Sequence, residues 1–272
     1  MDGRLDDVDL AVDELRWFKE AGRGTVVDIT SRHMGRNVLA LKKIAQETGL
    51  HVIAVTGYYT EPYYPQEVYE LTTNKLADVL IRELTEGIDG TGIKAGVIGE
   101  IGTRRDYMRP AEERVFRAVA RAHKDTGAPI STHSYLEELI FDQIEIFRDE
   151  AVDLQRVIIG HLGDYRNMDR LRTIAATGVW LQIDHIGLEG YPFQRDHSRA
   201  KVVAQLIRDG YLSQLLLSMD VCFRSRLHWY GGTGYDYLFK SFVPMLKAEG
   251  VSDAEIHTMT VENPHRALAF QC

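Results

Sequence analysis

The chain has 272 residues, 44% of them hydrophobic and 26% charged, with a formal charge of −8. That composition suits a globular protein with one large domain or two small ones. It excludes a membrane span, which needs roughly 18 apolar residues in a row, and a nucleic-acid footprint, which needs a basic stripe.

The opening "MDGRLDDVDLAVDELRWFKEAG" is acidic and helical in pattern over roughly residues 6–21, with Leu10, Leu15 and Phe18 on one stripe before Gly22. It reads as neither a signal nor a transit peptide. The only cysteines are Cys222 and the terminal Cys272, so a disulfide framework is not expected and the cytoplasm is the expected compartment.

An alternation follows. Apolar, β-branched runs at 24–30, 51–59, 95–103, 129–134, 156–163, 179–187 and 214–220 read as strands. Helical patterns at 38–48, 67–85, 111–125, 136–150, 168–177, 198–209 and 236–249 lie between or after them. Gly49, Gly127, Gly178, Gly210 and Gly250 stand where left-handed helix ends belong. Near-continuous apolar strands are those of a parallel sheet covered on both faces. No linker or low-complexity segment divides the chain, so residues 1–272 are expected to form one domain. The fold class is α/β: a (β/α)₈ barrel apparently lacking its first strand, with a seven-strand doubly wound sheet as the rival that rhythm alone leaves open.

The polar residues favour the barrel, whose chemistry sits at the C-terminal ends of its strands. Here the runs end on Asp28, Tyr58–Tyr59, Glu100, His133, His161, Asp184 and Asp220. Each has a duller explanation alone. Glu100 could pair with Lys94 or Arg32, at a desolvation cost of several kcal/mol per ion; His133 and His161 could be hydrogen-bonded core histidines; Asp220 could cap a loop. Together at one height, Glu100, His133, His161 and Asp220 form the donor set that zinc or a similar divalent ion takes. Such an ion lowers the pKa of water from 15.7 to about 7, and Asp220 is placed to act as ligand and proton acceptor. Glu100, at the centre, could bridge two ions.

The strings "SRHMGRN" (31–37), "VTGYY" (55–59), "AGVIGEIGT" (95–103), "PISTHS" (129–134), "IIGHLGD" (158–164), "QIDHIG" (182–187), "LLLSMD" (215–220), "GGTGYDYL" (231–238) and "ENPHRAL" (262–268) resemble the phosphotriesterase family of the amidohydrolase superfamily along essentially the whole chain. The resemblance implies a barrel with a binuclear centre, usually zinc, that hydrolyses ester-like bonds. It makes Glu100 the bridging ligand, His133 and His161 the ligands of the more exposed metal, and Asp220 the ligand of the buried metal and the proton acceptor. It also implies a first strand ending in His-x-His, a motif found nowhere in this sequence. One metal is therefore expected to be held firmly and a second weakly or not at all.

The expected activity is metal-dependent hydrolysis of an ester, lactone, phosphoester or amide in a small molecule. The alternative is a barrel that binds a ligand or partner without normal turnover. Oligomerisation across the missing strand is a further expectation. Candidate substrate contacts are Tyr58 and Tyr59, the Arg224–Arg226 pair with Arg224 first, His185, and, from the resemblance alone, His33 and Arg36.

Overall fold

The computed structural model describes residues 2–22, 24–104, 106–134, 136–190 and 192–270. Cys272 lies outside them. The first element is helix α1, Val8–Glu20, capped by Asp7, whose side chain accepts from the Leu10 amide. Its Val12 and Leu15 pack with Ile44 and Leu50.

Seven strands follow: β1 (Thr25–Asp28), β2 (His51–Thr56), β3 (Val97–Gly102), β4 (Ile130–His133), β5 (Val157–Ile159), β6 (Trp180–Ile183) and β7 (Leu215–Leu217). They form one parallel sheet in the order β1-β2-β3-β4-β5-β6-β7. A doubly wound sheet reverses its strand order at a switch point. This order never reverses, so the rival is excluded. The arrangement is that of a (β/α)₈ barrel with seven strands among the described residues; no pairing there joins β7 to β1.

The glycines at 49, 127, 178, 210 and 250 all have positive φ, as their positions after helices demand. Two helical patterns differ in detail. The stretch 67–85 is two helices, Gln66–Glu70 and Thr73–Thr85, because Leu71 is extended and Thr72 restarts the helix as an N-cap. The stretch 236–249 contains a π-helical turn, Leu238–Phe242, before Val243–Ala248. Pro244, which has no N–H to donate, lies just beyond that turn.

The strands are shorter than the apolar runs. β5, β6 and β7 stop before His161, Asp184 and Asp220, which therefore sit on the first loop residues. A left-handed backbone at His161 (φ 62°), His185 (φ 57°) and Asp220 (φ 47°) ends the extended conformation. Such non-glycine positions cost on the order of 1–3 kcal/mol each and cluster where side chains must be aimed.

Candidate active site

Glu100 is aimed by an irregularity in β3. The register pairs Ile98 with Ile130 but Ile101 with Thr132, so β3 carries one extra residue opposite β4, and Glu100 falls within it. A bulge of this kind turns a side chain out of the ladder. His133 ends β4 opposite Gly102, where a Cβ would stand 2.9 Å from that of His133. His161 follows Gly160, whose missing side chain lets the backbone pass the Thr132 carbonyl; a Cβ there would lie 2.5 Å from that oxygen.

The three side chains converge. Glu100 Oε2 lies 3.5 Å from His133 Nδ1, and Oε1 lies 3.3 Å from His161 Nε2. The two imidazoles meet at 2.6 Å between His161 Nε2 and His133 Nδ1. Glu100 therefore pairs with neither Lys94 nor Arg32; the Arg32 guanidinium is bonded to Glu83 and Glu67.

A second group lies beside the first. His185 Nε2 is 3.1 Å from Asp220 Oδ2, and the His185 ring stacks on that of His161 with centroids 4.4 Å apart. One donor atom from each of Glu100, His133 and His161 lies within 4.8 Å of the others, and the same holds for His161, His185 and Asp220. His161 joins both groups.

Carboxylates behind the histidines set their charge. Asp184, fully buried, accepts from the His161 backbone N–H at 2.9 Å and faces His161 Nδ1 at 3.2 Å. Burial opposes a charge on His161, but Asp184 and Glu100 outweigh it and raise its pKa well above the ordinary 6.5. Burial likewise resists charge on Glu100 and Asp184, yet the neighbouring histidines hold both well below the usual carboxylate range. His185 is lifted to about 9, burial again being outweighed, here by Asp184 and by bonds to Asp164 and Asp220.

Asp164 was not among the residues picked from the sequence. Its Oδ2 lies 2.5 Å from His185 Nδ1, while its Oδ1 accepts from Arg199 Nη2 at 2.8 Å and from the Gln194 amide at 3.0 Å. Arg199, fully buried, also donates to Asp196 at 2.6 Å. Asp220, His185 and Asp164 thus form a continuous hydrogen-bonded line. The available signal was the string "HLGD", three residues from His161 to Asp164 across one tight 3₁₀ turn.

The remaining candidates separate. The Tyr59 hydroxyl reaches the His133 ring at 3.2 Å, at the edge of the cluster. Tyr58, its neighbour, turns the other way and donates to Glu67 at 2.7 Å. His33 is half exposed, with Nε2 3.7 Å from Glu67. Arg36 is clamped on Glu83 by bonds of 2.7 and 2.9 Å. Arg224 binds the Arg4 carbonyl at 2.5 Å and Asp6 at 3.2 Å, on the N-terminal segment. Tyr58, His33, Arg36 and Arg224 are therefore not brought to the cluster, because each is engaged by a partner elsewhere. Tyr59 and His185 are.

The sequential parallel strands define a (β/α)₈-barrel protein with a cluster of histidines and carboxylates at their C-terminal ends. Residues 2–268 match the phosphotriesterase family, and the chain belongs to it. It is 38% identical to the phosphotriesterase homology protein of Escherichia coli (strain K12) over 264 residues, which cover 97% of this chain and 90% of the relative. It is 32% identical to the N-acetyltaurine hydrolase of Danio rerio over 275 residues, covering 97% and 78%. The crystal structure of the E. coli protein, complexed with phosphate in its active site, superimposes with a TM-score of 0.94 over 99% of this chain and 92% of that one. A lactonase from Listeria monocytogenes, 28% identical, superimposes with a TM-score of 0.93 over 100% and 89%. Hydrolysis of small molecules is the class of activity these relatives support.

Proposed function

We propose that this protein is a metal-dependent hydrolase of an ester, lactone, phosphoester or amide bond, with Asp220 as proton acceptor. The observation that carries the reading is the convergence of Glu100, His133 and His161 beside His185 and Asp220. The donor set fits a zinc-like ion: two imidazoles and a carboxylate for one ion, with the Asp220 carboxylate alongside. His161 is moreover held between two carboxylates, Glu100 and Asp184, a place built for positive charge. When bound, the ion supplies Lewis acidity that acidifies water and polarises the bond under attack.

The chain's own groups do the rest. Glu100, His133 and His161 would hold the ion, with Glu100 facing both histidines. Asp220 takes the proton released as the bond is attacked, and His185 Nε2, 3.1 Å from Asp220 Oδ2, donates to that carboxylate and holds it in place. Asp164, at His185 Nδ1, keeps the imidazole oriented and steadies its positive charge. Arg199 and the Gln194 amide lock Asp164 in turn. Tyr59, against His133, lines the approach.

The test is a panel of lactones, aryl esters, phosphotriesters and N-acyl amino acids with added zinc, manganese or cobalt. Wild type is expected to turn over at least one class. Asp220→Asn abolishes that turnover, and Asp164→Asn lowers kcat about 10-fold or more, the scale for removing a group that orients site residues. No turnover of any substrate by wild type, or full activity in Asp220→Asn, would contradict the reading.

A further inference from the structure

The loop after β7 carries two arginines in "CFRSRL", and the structure gives them opposite fates. Arg224 turns outward to the N-terminal segment, whereas Arg226 is only 6% exposed and turns inward. Its backbone is fixed on both sides: its amide donates to the Phe223 carbonyl at 3.0 Å, and its carbonyl accepts from the Gly234 amide at 2.8 Å. Its Nη2 donates to the carbonyl of Ile186 at 2.9 Å, one residue past His185. Gly187 makes room there, since a Cβ at that position would stand 3.0 Å from Nη2. The guanidinium is thus wedged between the loops after β6 and β7, on the side of the barrel where His185 and Asp220 meet.

Its bonding is incomplete. The guanidinium fork offers five N–H donors, yet buried Nε and Nη1 meet no acceptor among the described residues. Arg32, Arg36 and Arg199 each end on a carboxylate, whereas the buried Arg156 ends on the carbonyls of Arg266 and Ala269. Arg226 ends on one backbone carbonyl. The nearby carboxylates are spoken for: Asp220 faces His185, and Asp196 takes Arg199 and the Gly187 amide. A buried charged donor left unpaired is costly, and Nη1, whose N–H groups meet no acceptor among the described residues, can donate to an oxygen of an anionic group.

We propose that Arg226 is the specificity-determining residue of the site, receiving a carboxylate, sulfonate or phosphate substituent of the substrate, so that anionic substrates are preferred over neutral isosteres. This rests on the hydrolase reading for its substrate and on the buried, unpaired Nη1 for its ligand. Burial draws the Arg226 pKa down, and Cys222 and Asp220, on the same loop, are close enough to oppose that.

The experiment compares kcat/KM for para-nitrophenyl hemisuccinate and para-nitrophenyl butyrate, matched in length and differing in the free carboxylate. Wild type is expected to favour the hemisuccinate. In Arg226→Gln the ratio of the two values falls about 100-fold, the lower range for truncating one partner of a buried charge pair, and Arg226→Lys recovers part of it. A ratio within threefold of wild type in Arg226→Gln overturns the proposal. Calorimetric titration of methanesulfonate into each protein without added metal separates the two claims. If wild type hydrolyses neither ester but binds methanesulfonate and Arg226→Gln does not, the anion site stands and the hydrolase reading loses support. Equal binding by both proteins, or by neither, overturns the anion site whatever the turnover.

Discussion

Replacing Glu83 by Gln tests how the "SRHMGRN" loop is held. Glu83 is 4% exposed and accepts from Arg36 Nη1 and Nη2 at 2.7 and 2.9 Å, from Thr56 Oγ1 at 2.6 Å, and from Arg32. Breaking a buried ion pair by removing one partner costs about 3–5 kcal/mol. Arg36 would keep the Val55 carbonyl and Arg32 would keep Glu67, so the lower end, about 3 kcal/mol, applies. At about 2–4 °C per kcal/mol for a chain of this size, Tm falls by about 6–12 °C. Burial alone would raise the Glu83 pKa, but the bonds from Arg36 and Thr56 and the charges of both arginines pull it below its ordinary 4.5. The folded value is therefore below the unfolded one, so this stabilisation is complete above about pH 4.5 and is lost as pH falls through the folded value. Urea unfolding at pH 7 should show the full deficit in Glu83→Gln, and the gap to wild type should narrow as pH is lowered below 4.5. Arg36→Met should cost a similar amount, with the double variant well short of the sum. A deficit under 0.5 kcal/mol by the linear-extrapolation method, or one independent of pH, would refute this assignment and reopen Arg36 as a substrate contact.

Two further outcomes follow from the site and its frame. Because His161 is held protonated by Asp184 and Glu100, an arriving divalent ion must displace that proton, so zinc binding should weaken as pH falls and should release protons; calorimetry in buffers of different ionisation enthalpy reads the number, and zero release would count against His161 as a ligand. Glu14, 1% exposed on α1, accepts from the His228 and Trp229 amides at 3.1 and 2.8 Å, pinning the loop after β7. Glu14→Ala should cost about 2–3 kcal/mol and speed hydrogen exchange at those two amides, and unchanged exchange would show that the loop is held by other contacts.

The barrel was legible because its signals are local. Apolar runs, helix periodicity and C-terminal glycines each depend on a few neighbouring residues, and Val38–Thr48 has the bounds its pattern predicts. Glu100, His133, His161 and Asp220 were legible because parallel strands bring run ends to one height. The strand ends themselves were not, since the left-handed backbone at His161, His185 and Asp220 is imposed by tertiary packing. Tyr58 and Tyr59 show a second limit: adjacent residues point to opposite sides, and only the fold decides which meets His133. Asp164 and Arg226 are not legible in the sequence, because their meaning lies in partners 21 and 40 residues away.

The central claim is that Glu100, His133 and His161 hold a catalytic metal. Elemental analysis of protein purified with added zinc and freed of excess tests it most directly. Wild type should retain at least one divalent ion per chain, and Glu100→Ala and His133→Ala should each lose it while keeping the native circular dichroism. A wild-type protein with no bound ion, or variants that retain the full complement, would contradict the account.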